Sequence, residues 1–573
     1  MVQRSEWRIA KTQVSSQEGV VATMYTQASE AGAEMLKRGG NAIDAAVAAA
    51  FTIGVVEPFN SGLGGVAVMA YHEASSGKTY ILDGTGPLPM ASRPDQFAAA
   101  GTGAKTGVYG WPEIANDANN TGFMTPAVPG MPALVLEAQA RFGRLTRADV
   151  TEAAIHHAEN GYPIDWYIAL GMAVNQHRLH LFPESRRTFF REDGTCYRAP
   201  MLGVEGDNFR QPELARSLRA IAADGADAFY RGRIAEMIAE DMARNGGLLS
   251  YDDLAGYRLR ESEVGLRTEY HGHELIGGLE NTGVPTVLGT LNMLEQFNLS
   301  QLEPGSVEEL HLIAEAQRRA FLDRFAHLAD ADSVAVPVDG LVSRAFGRQR
   351  GSEIRRDAAD TNATAGDPWP FNGSGAAPGL SHGQAGEGQT THLTVVDRDR
   401  NMVTLTSTLG QHFGSAVVAK DTGIVLNNGT MWFDPIPGHV NSIAPGRRLM
   451  TAAAPTIVLR EGKPLLAVGA PGGRRVISSI IHSIINVVDH GMGPQDAVNT
   501  PRVHCEGTET IVDTRVGEEK IEALRQLGHK VVPREETFST SYFGRPNAVT
   551  ADAKTGQLYG GVNQFKPTMA IGL

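Results

Sequence analysis

Cysteine is nearly absent. Cys196 and Cys505 are the only two in 573 residues, too few for a disulfide framework and without the spacing of a zinc site, which predicts a reducing, cytoplasmic setting. Long hydrophobic runs are missing too: the longest uncharged apolar stretch, 45–56, falls far short of the roughly 20 residues that cross a bilayer, and charges interrupt the first ten residues where a secretory signal would be apolar. Neither a membrane span nor export is expected. Positive charge is in deficit, with 51 Lys and Arg against 64 Asp and Glu, so the chain offers no electrostatic footprint to a nucleic acid. What remains is an ordinary globular balance, 42% apolar and 20% charged, long enough for three or four domains at about 150 residues each. Glycine is in surplus, 65 residues against a usual share of about 7%, and many come in pairs.

Periodicity divides the chain. Over 27–56, Ala28, Ala31, Met35 and Leu36 recur at helical steps, Gly39-Gly40 stops a first helix, and Asn41 restarts an alanine-rich second one. Strands over 66–72 and 78–82 flank a Ser75-Ser76-Gly77 turn as a hairpin. Amphipathic helices are expected near 129–161, 211–245 and 307–330, with Asp252-Asp253 as a cap before Leu254. From 357 to 389 the composition shifts to Gly, Ala, Pro, Ser and Asn, which predicts a mobile surface segment, and a loop that long calls for a purpose. At Thr390 the period changes to two, with strands over 391–397, 402–407 and 456–459. The class is α/β in the α+β sense, helix-rich first and strand-rich after.

No motif indicates a metal or an organic cofactor. His72-Glu73 and His273-Glu274 lack the second histidine of a zinc helix, and the stretch 101–106 lacks the glycine that precedes the lysine of a phosphate loop. Gly379-Leu380-Ser381-His382-Gly383 spells G-x-S-x-G, yet loop-like sequence lies on both sides where a nucleophile elbow needs strand and helix. The position that carries chemistry is Gln389-Thr390-Thr391-His392. Two threonines before a strand can express β-propensity alone. If the chain is cut before Thr390, however, that residue gains an α-amino group with an ordinary pKa of about 7.7–8 beside its own hydroxyl, a general base and a nucleophile in one residue. The segment 357–389 then presents the scissile bond. Pro471-Gly472-Gly473 reads as a turn and also as a place where backbone N–H groups could approach an oxyanion.

These residues resemble the γ-glutamyltransferase family of N-terminal-nucleophile hydrolases, and its acylase and amidohydrolase-like branch more than its classical glutathione-cleaving members. Matching stretches include Glu30-Ala31-Gly32, 39–48, Val56-Glu57-Pro58, 61–65, Val128-Pro129-Gly130, 229–232, Gly246-Gly247-Leu248, Thr390-Thr391-His392, Asn427-Asn428-Gly429 and Pro471-Gly472-Gly473. The resemblance implies a four-layer αββα sandwich, made as a precursor that cuts itself into a large subunit, 1–389, and a small catalytic subunit, 390–573, that stay together. It implies that Thr390 attacks first the Gln389 carbonyl and later a small-molecule amide. Thr408 would orient the freed amine, and Gly472 and Gly473 would form the oxyanion hole.

The family's substrate anchors are replaced. Thr85 and Thr451-Ala452 stand where an Arg and a Ser-Ser pair hold a glutamyl carboxylate. Gly410, Gly429 and Trp432 stand where its amino group is gripped, with Asp434 displaced two residues on. Losing a buried bidentate Arg–carboxylate contact costs about 2–5 kcal/mol, so weak activity on γ-glutamyl compounds is expected. Trp432 and Phe433 offer an apolar wall, while Arg448, Arg474 or Arg475 could contact a distal carboxylate or form structural ion pairs. The turn 561–565 also departs from the relatives' Asp-containing one. The expected activity is hydrolysis of a non-glutamyl or weakly glutamyl amide through an acyl-enzyme ester. A glutathione-cleaving γ-glutamyltransferase and an uncleaved binding protein are the alternatives.

Overall fold

In the computed structural model, which describes residues 9–103, 105–106, 111–373 and 389–573, the N-terminal pattern yields the expected helix pair, α1 (Thr26–Lys37) and α2 (Ala42–Val56). Asn41 caps α2 by accepting from the Ile43 and Asp44 N–H groups, and the Asp44 carboxylate accepts from Asn41 N–H in return. α2 is buried along nearly its whole length.

The principal strands in chain order are β1 (Val14–Ser16), β2 (Gly19–Thr23), β3 (Val66–Glu73), β4 (Lys78–Gly84), β5 (Arg260–Ser262), β6 (Leu266–Tyr270) and β7 (His273–Gly277). There follow β8 (Gln389–Asp397), β9 (Met402–Gly410), β10 (Thr456–Arg460), β11 (Lys463–Gly469), β12 (Asn547–Ala551), β13 (Leu558–Val562) and β14 (Met569–Gly572). They form two seven-stranded antiparallel sheets in the orders β14-β2-β8-β9-β3-β4-β5 and β1-β13-β12-β11-β10-β7-β6. Alternation sorts the side chains: Leu393, Val395, Val403 and Leu405 join the core beneath α1 and α2, while Val396 and Met402 face the other sheet. That sheet sends Ile457, Leu459, Ala467 and Val549 to meet them. Its outer face packs under α6 (Val284–Leu294), α7 (Val307–His327) and α8 (Arg475–Val488), numbered after α3 (Met131–Phe142), α4 (Arg147–Asn160) and α5 (Trp166–Leu179). The result is the αββα sandwich that the resemblance implies.

Both sheets interleave strands from either side of residue 389. β8 pairs with β2, β9 with β3, β10 with β7 and β13 with β1. A break at that point would leave two chains that share both sheets and the α6–α8 layer.

Several boundaries differ from the sequence reading. The stretch 129–161 splits into α3 and α4 at Gly143, and 211–245 holds three helices rather than one. Ser250, not Asp252-Asp253, caps the helix Tyr251–Ala255, because Asp253 falls at the third helical position and answers the cap. The region read as mostly helical also contains the hairpin β6-β7. In the segment expected to be mobile, 357–373 is tied down: Ala359 N–H donates to Leu527 O at 2.7 Å, Asp360 N–H to Glu315 Oε2 at 3.1 Å, and Gly366 N–H to Asp323 Oδ1 at 2.6 Å. The remainder of that segment to residue 388, with the G-x-S-x-G stretch, lies outside the described residues.

His392 belongs to the core. Its Nδ1 lies 2.9 Å from Thr406 Oγ1 and its Nε2 3.3 Å from Thr404 Oγ1. Burial lowers His392, His412 and His482 each to about 3, with neighbouring cations adding to the effect at the latter two. The folded chain keeps these rings neutral while the unfolded chain protonates them near pH 6.5, so stability held above that pH is lost as pH falls toward 3. Each ring removes up to about 1.4 kcal/mol per pH unit over that window. Tm measured by calorimetry is expected to fall continuously from pH 7 to pH 4, and a flat profile would contradict neutral imidazoles at these three positions.

Candidate active site

At the start of β8 the register slips. Gln389 pairs with Gly410 and Thr391 with Ser407, so Thr408 and Leu409 together oppose Thr390 in a β-bulge. Thr408 Oγ1 donates to the Gln389 carbonyl oxygen at 2.7 Å and accepts from Gly410 N–H at 2.9 Å. A hydroxyl has one proton, and Gly410 fills an acceptor position, so that proton is committed to the carbonyl. Gly410 has φ of +103, and a Cβ there would run into Asn428 Oδ1, which accepts from Gln411 N–H at 3.0 Å. Glycine at 410 is thus needed to end β9.

Thr390 is 7% exposed. Its neighbour Thr391 is anchored separately, with Oγ1 donating to Glu57 Oε2 at 2.7 Å, while Glu57 Oε1 accepts from Asn60 Nδ2 at 2.8 Å. Burial pushes the Glu57 carboxyl up to about 7 despite those bonds and the nearby Arg545 guanidinium.

β11 ends at Gly469, where any side chain would collide with the His392 ring, and this contact holds the following loop close to the start of β8. In that loop Gly472 and Gly473 have φ of +133 and +60, and Arg545 N–H donates to Pro471 O at 2.9 Å. Among the described residues neither glycine's N–H donates to an acceptor. α8 begins immediately afterwards, adding the positive end of a helix dipole.

A cavity of about 270 Å³ adjoins Gln389; Phe59, Tyr167, His412, Arg475, Arg545 and Lys566 contribute to its walls. Arg545 donates to Tyr167 OH at 2.7 Å and to Gln389 Oε1 at 3.3 Å. The turn after β13 delivers Lys566, which donates to the Phe538 and Thr540 carbonyls. Burial first, and Arg545 second, lower the Lys566 ammonium to about 7.

The structure therefore gathers Gln389, Thr390, Thr408 and Gly410, links the Gly472-Gly473 loop to Gln389 through Arg545, and places Arg475 in the adjoining cavity. Thr85 and Thr451 belong to a buried network around Asn281. Thr85 Oγ1 donates to Asp83 Oδ1 at 2.6 Å and accepts from Asn281 Nδ2 at 2.8 Å, and Thr451 N–H donates to Asn281 O at 2.8 Å. Arg448 donates to the Thr85 carbonyl at 2.8 Å, and Arg474 pairs with Glu506 at 2.5 Å, so both serve internal bonds. Trp432 is packed into an apolar cluster with Leu88 and Phe433, and Gly429 lies against Ala127, where a Cβ would clash. Glu57, Tyr167, His412, Arg545 and Lys566 escaped the sequence reading. Glu57 stood within a matching stretch, but no local signal ties the others to Thr390.

The sequence model described as Gamma-glutamyltranspeptidase matches residues 28–573. The chain belongs to the gamma-glutamyltranspeptidase family. Within that family it is 35% identical over 531 residues to the Acylase ACY 1 proenzyme of Pseudomonas sp. (strain SE83), covering 92% of this chain and 90% of that one. It is 32% identical over 563 residues to the Glutathione hydrolase proenzyme of Bacillus subtilis (strain 168), covering 97% and 92%. The solved cephalosporin acylase from Bacillus halodurans superposes with a TM-score of 0.85 at 27% identity, over 100% of this chain and 99% of that chain. Membership makes this protein an amide-bond hydrolase or acyltransferase of the N-terminal-nucleophile fold. Among the described residues no helix is long and apolar enough to cross a membrane.

Proposed function

We propose that this protein is a self-processing threonine amidohydrolase, cut between Gln389 and Thr390. The observation that carries the reading is the Thr408 hydroxyl donating into the Gln389 carbonyl, which polarises the one peptide bond that the mechanism must break. Thr390 Oγ1 attacks that carbonyl carbon, the C–N bond breaks as the nitrogen takes up a proton, and the chain up to Gln389 becomes an ester on Thr390. Water then releases the Gln389 carboxylate. The freed α-amine of Thr390 acts as base when Oγ1 attacks a substrate amide, giving an acyl-enzyme ester that water hydrolyses. Gly472 and Gly473 N–H groups receive the oxyanion. The word proenzyme in the names of both relatives supports the cut.

The internal hydrogen bonds of Thr85 to Asp83 and Asn281 support an acyl group other than glutamyl, since they take up the side chain at the place of the family's arginine anchor. Denaturing electrophoresis with N-terminal sequencing tests the cut. Two fragments are expected, the smaller beginning at Thr390, and they co-elute on native gel filtration because both sheets interleave. The same preparation should turn over simple acyl amides faster than glutathione. A full-length band that persists on long incubation would overturn the reading in favour of an uncleaved binding protein.

A further inference from the structure

The turn that leaves α2 grips both strands of the bulge. Its Glu57 carboxylate is fully buried, accepting from Thr391 Oγ1 at 2.7 Å through Oε2 and from Asn60 Nδ2 at 2.8 Å through Oε1. Three residues on, the Asn60 carbonyl accepts from Leu409 N–H at 3.1 Å, and Leu409 with Thr408 opposes Thr390. The turn is fixed in its own right: Glu57 N–H donates to Ile53 O at 2.8 Å, closing the helix, and Asn60 N–H donates to Glu57 O at 3.2 Å. One short piece of the chain before residue 389 thus holds the residue after Thr390 and the residue after Thr408.

Cleavage makes that grip matter. In the uncut chain Thr390 is held from both sides, with Gln389 paired to Gly410 and Thr391 to Ser407. Once Gln389 is released, Thr390 becomes a chain end, and chain ends fray unless tied down. β2 gives no help there, because its pairing with β8 begins only at Leu393. Beside the β9 ladder, the Thr391 hydroxyl on Glu57 is the nearest tie. A carboxylate accepts such a bond more strongly than a neutral group, but burying one is costly without a cation, and the bonds of Glu57 go to a hydroxyl and an amide. We propose that Glu57 is a positioning residue, which by holding the Thr391 hydroxyl keeps the new chain end at Thr390 aligned for its Oγ1 to attack an acyl carbon on every turnover. It touches no reacting atom itself. The groups that face it are Tyr25 ahead of α1, Tyr162 and Asp165 ahead of α5, Tyr167 within α5 and Arg545 ahead of β12. Burial outweighs them all and raises the carboxyl to about 7. Protonation turns one of its acceptor oxygens into a donor, so the tether is complete only as pH rises through that value.

This inference rests on Thr390 as nucleophile, and the test tells the two apart. Processed wild type and variants are compared on 4-nitrophenyl acetate, a small activated ester, with kcat/KM referred to the concentration of chains beginning at Thr390 and with Thr390→Ala as blank. Glu57→Gln keeps the shape and removes the charge. Its kcat/KM at pH 8 should fall at least tenfold, since misplacing a reacting group by about 1 Å costs on the order of 10²-fold. Self-cleavage, with Thr390 still held from both sides, should slow less than threefold. The wild-type acid limb should be steeper near pH 7 than the loss of one proton permits, and that of Glu57→Gln should follow the Thr390 amine alone. Thr391→Val should match Glu57→Gln, Thr391→Ser should restore the rate, and combining Glu57→Gln with Thr391→Val should lose less than about twofold more than either. Should Glu57→Gln not fold, the two Thr391 variants carry the same comparison. Cleavage and turnover lost alike, or losses that add in the double variant, would reduce Glu57 to a structural acid and overturn the role. A wild type that cuts normally, beside a Glu57→Gln form with the same rate and pH profile, overturns it alone. A wild type that stays uncut overturns it together with the nucleophile.

Discussion

Thr390→Ala leaves the chain uncut at full length and without measurable amide hydrolysis. Both losses share one cause, since in the proposed mechanism the same oxygen attacks Gln389 once and the substrate thereafter. Removing the nucleophile of an acyl-transfer enzyme lowers kcat by on the order of 10⁴-fold or more, and here no second hydroxyl substitutes: Thr391 is tethered to Glu57 and Thr408 to the scissile carbonyl. The fold tolerates the change. Thr390 opposes a bulge at the beginning of β8, while the pairings of Leu393 to Val396 with β9 and of Leu393 to Asp397 with β2 are untouched. Thr390→Ser keeps a hydroxyl and should restore cutting, more slowly. The measurement is electrophoresis and intact mass after timed incubation, with Tm as the folding control. A Thr390→Ala chain that still yields a fragment beginning at residue 390 would remove Thr390 from the mechanism.

The parts of the molecule legible in sequence are those set by neighbouring residues. Gly39-Gly40 and Asn41 divide α1 from α2 because a stop and a capping box are local devices, and β8 and β9 announce themselves by alternation between two apolar cores. The proposed nucleophile, Thr390, stands out in the sequence for a related reason, as chemistry concentrated in one residue at a change of period. The hairpin β6-β7 was lost amid helical stretches although Leu266, Thr268 and Tyr270 alternate with Arg267 and Glu269 in its first strand. The cavity was not legible at all. Arg545 reaches Gln389, and Lys566 lines the same cavity, from loops far along the chain, through contacts that no spacing encodes. His392 has no role in the sequence reading, and the structure seals it between Thr406, Thr404 and Gly469. Thr85 and Thr451 looked like vacancies in sequence. In space Thr85 is an occupied position, because Asp83, Asn281 and Arg448 take up its hydrogen bonds, whereas the Thr451 hydroxyl is buried with no hydrogen-bond partner among the described residues.

Thr408→Val separates polarisation from nucleophilicity. The substitution keeps the shape and removes the hydroxyl, so the Gln389 carbonyl loses its donor at 2.7 Å and Gly410 N–H loses its acceptor at 2.9 Å. Removing a preorganised donor from a carbonyl that must become an oxyanion slows acyl transfer by on the order of 10²- to 10³-fold, and self-cleavage should slow by that amount, read as the half-time of the full-length band. Two unsatisfied backbone groups also cost about 1–3 kcal/mol each if they stay dry, so Tm must be measured beside the rate to exclude slow folding. Thr408→Ser restores the donor and should restore cutting without moving Tm by the same margin. Once the chain is cut the Gln389 carbonyl leaves, and the Thr408 hydroxyl becomes available to the new amine of Thr390, which it can orient but does not have to polarise. The hydrolytic kcat of Thr408→Val that has eventually been processed should therefore fall less than its cleavage rate. Equal losses would mean that Thr408 serves the amine in both steps, and an unchanged cleavage rate would mean that its bond to Gln389 is a feature of the resting precursor alone.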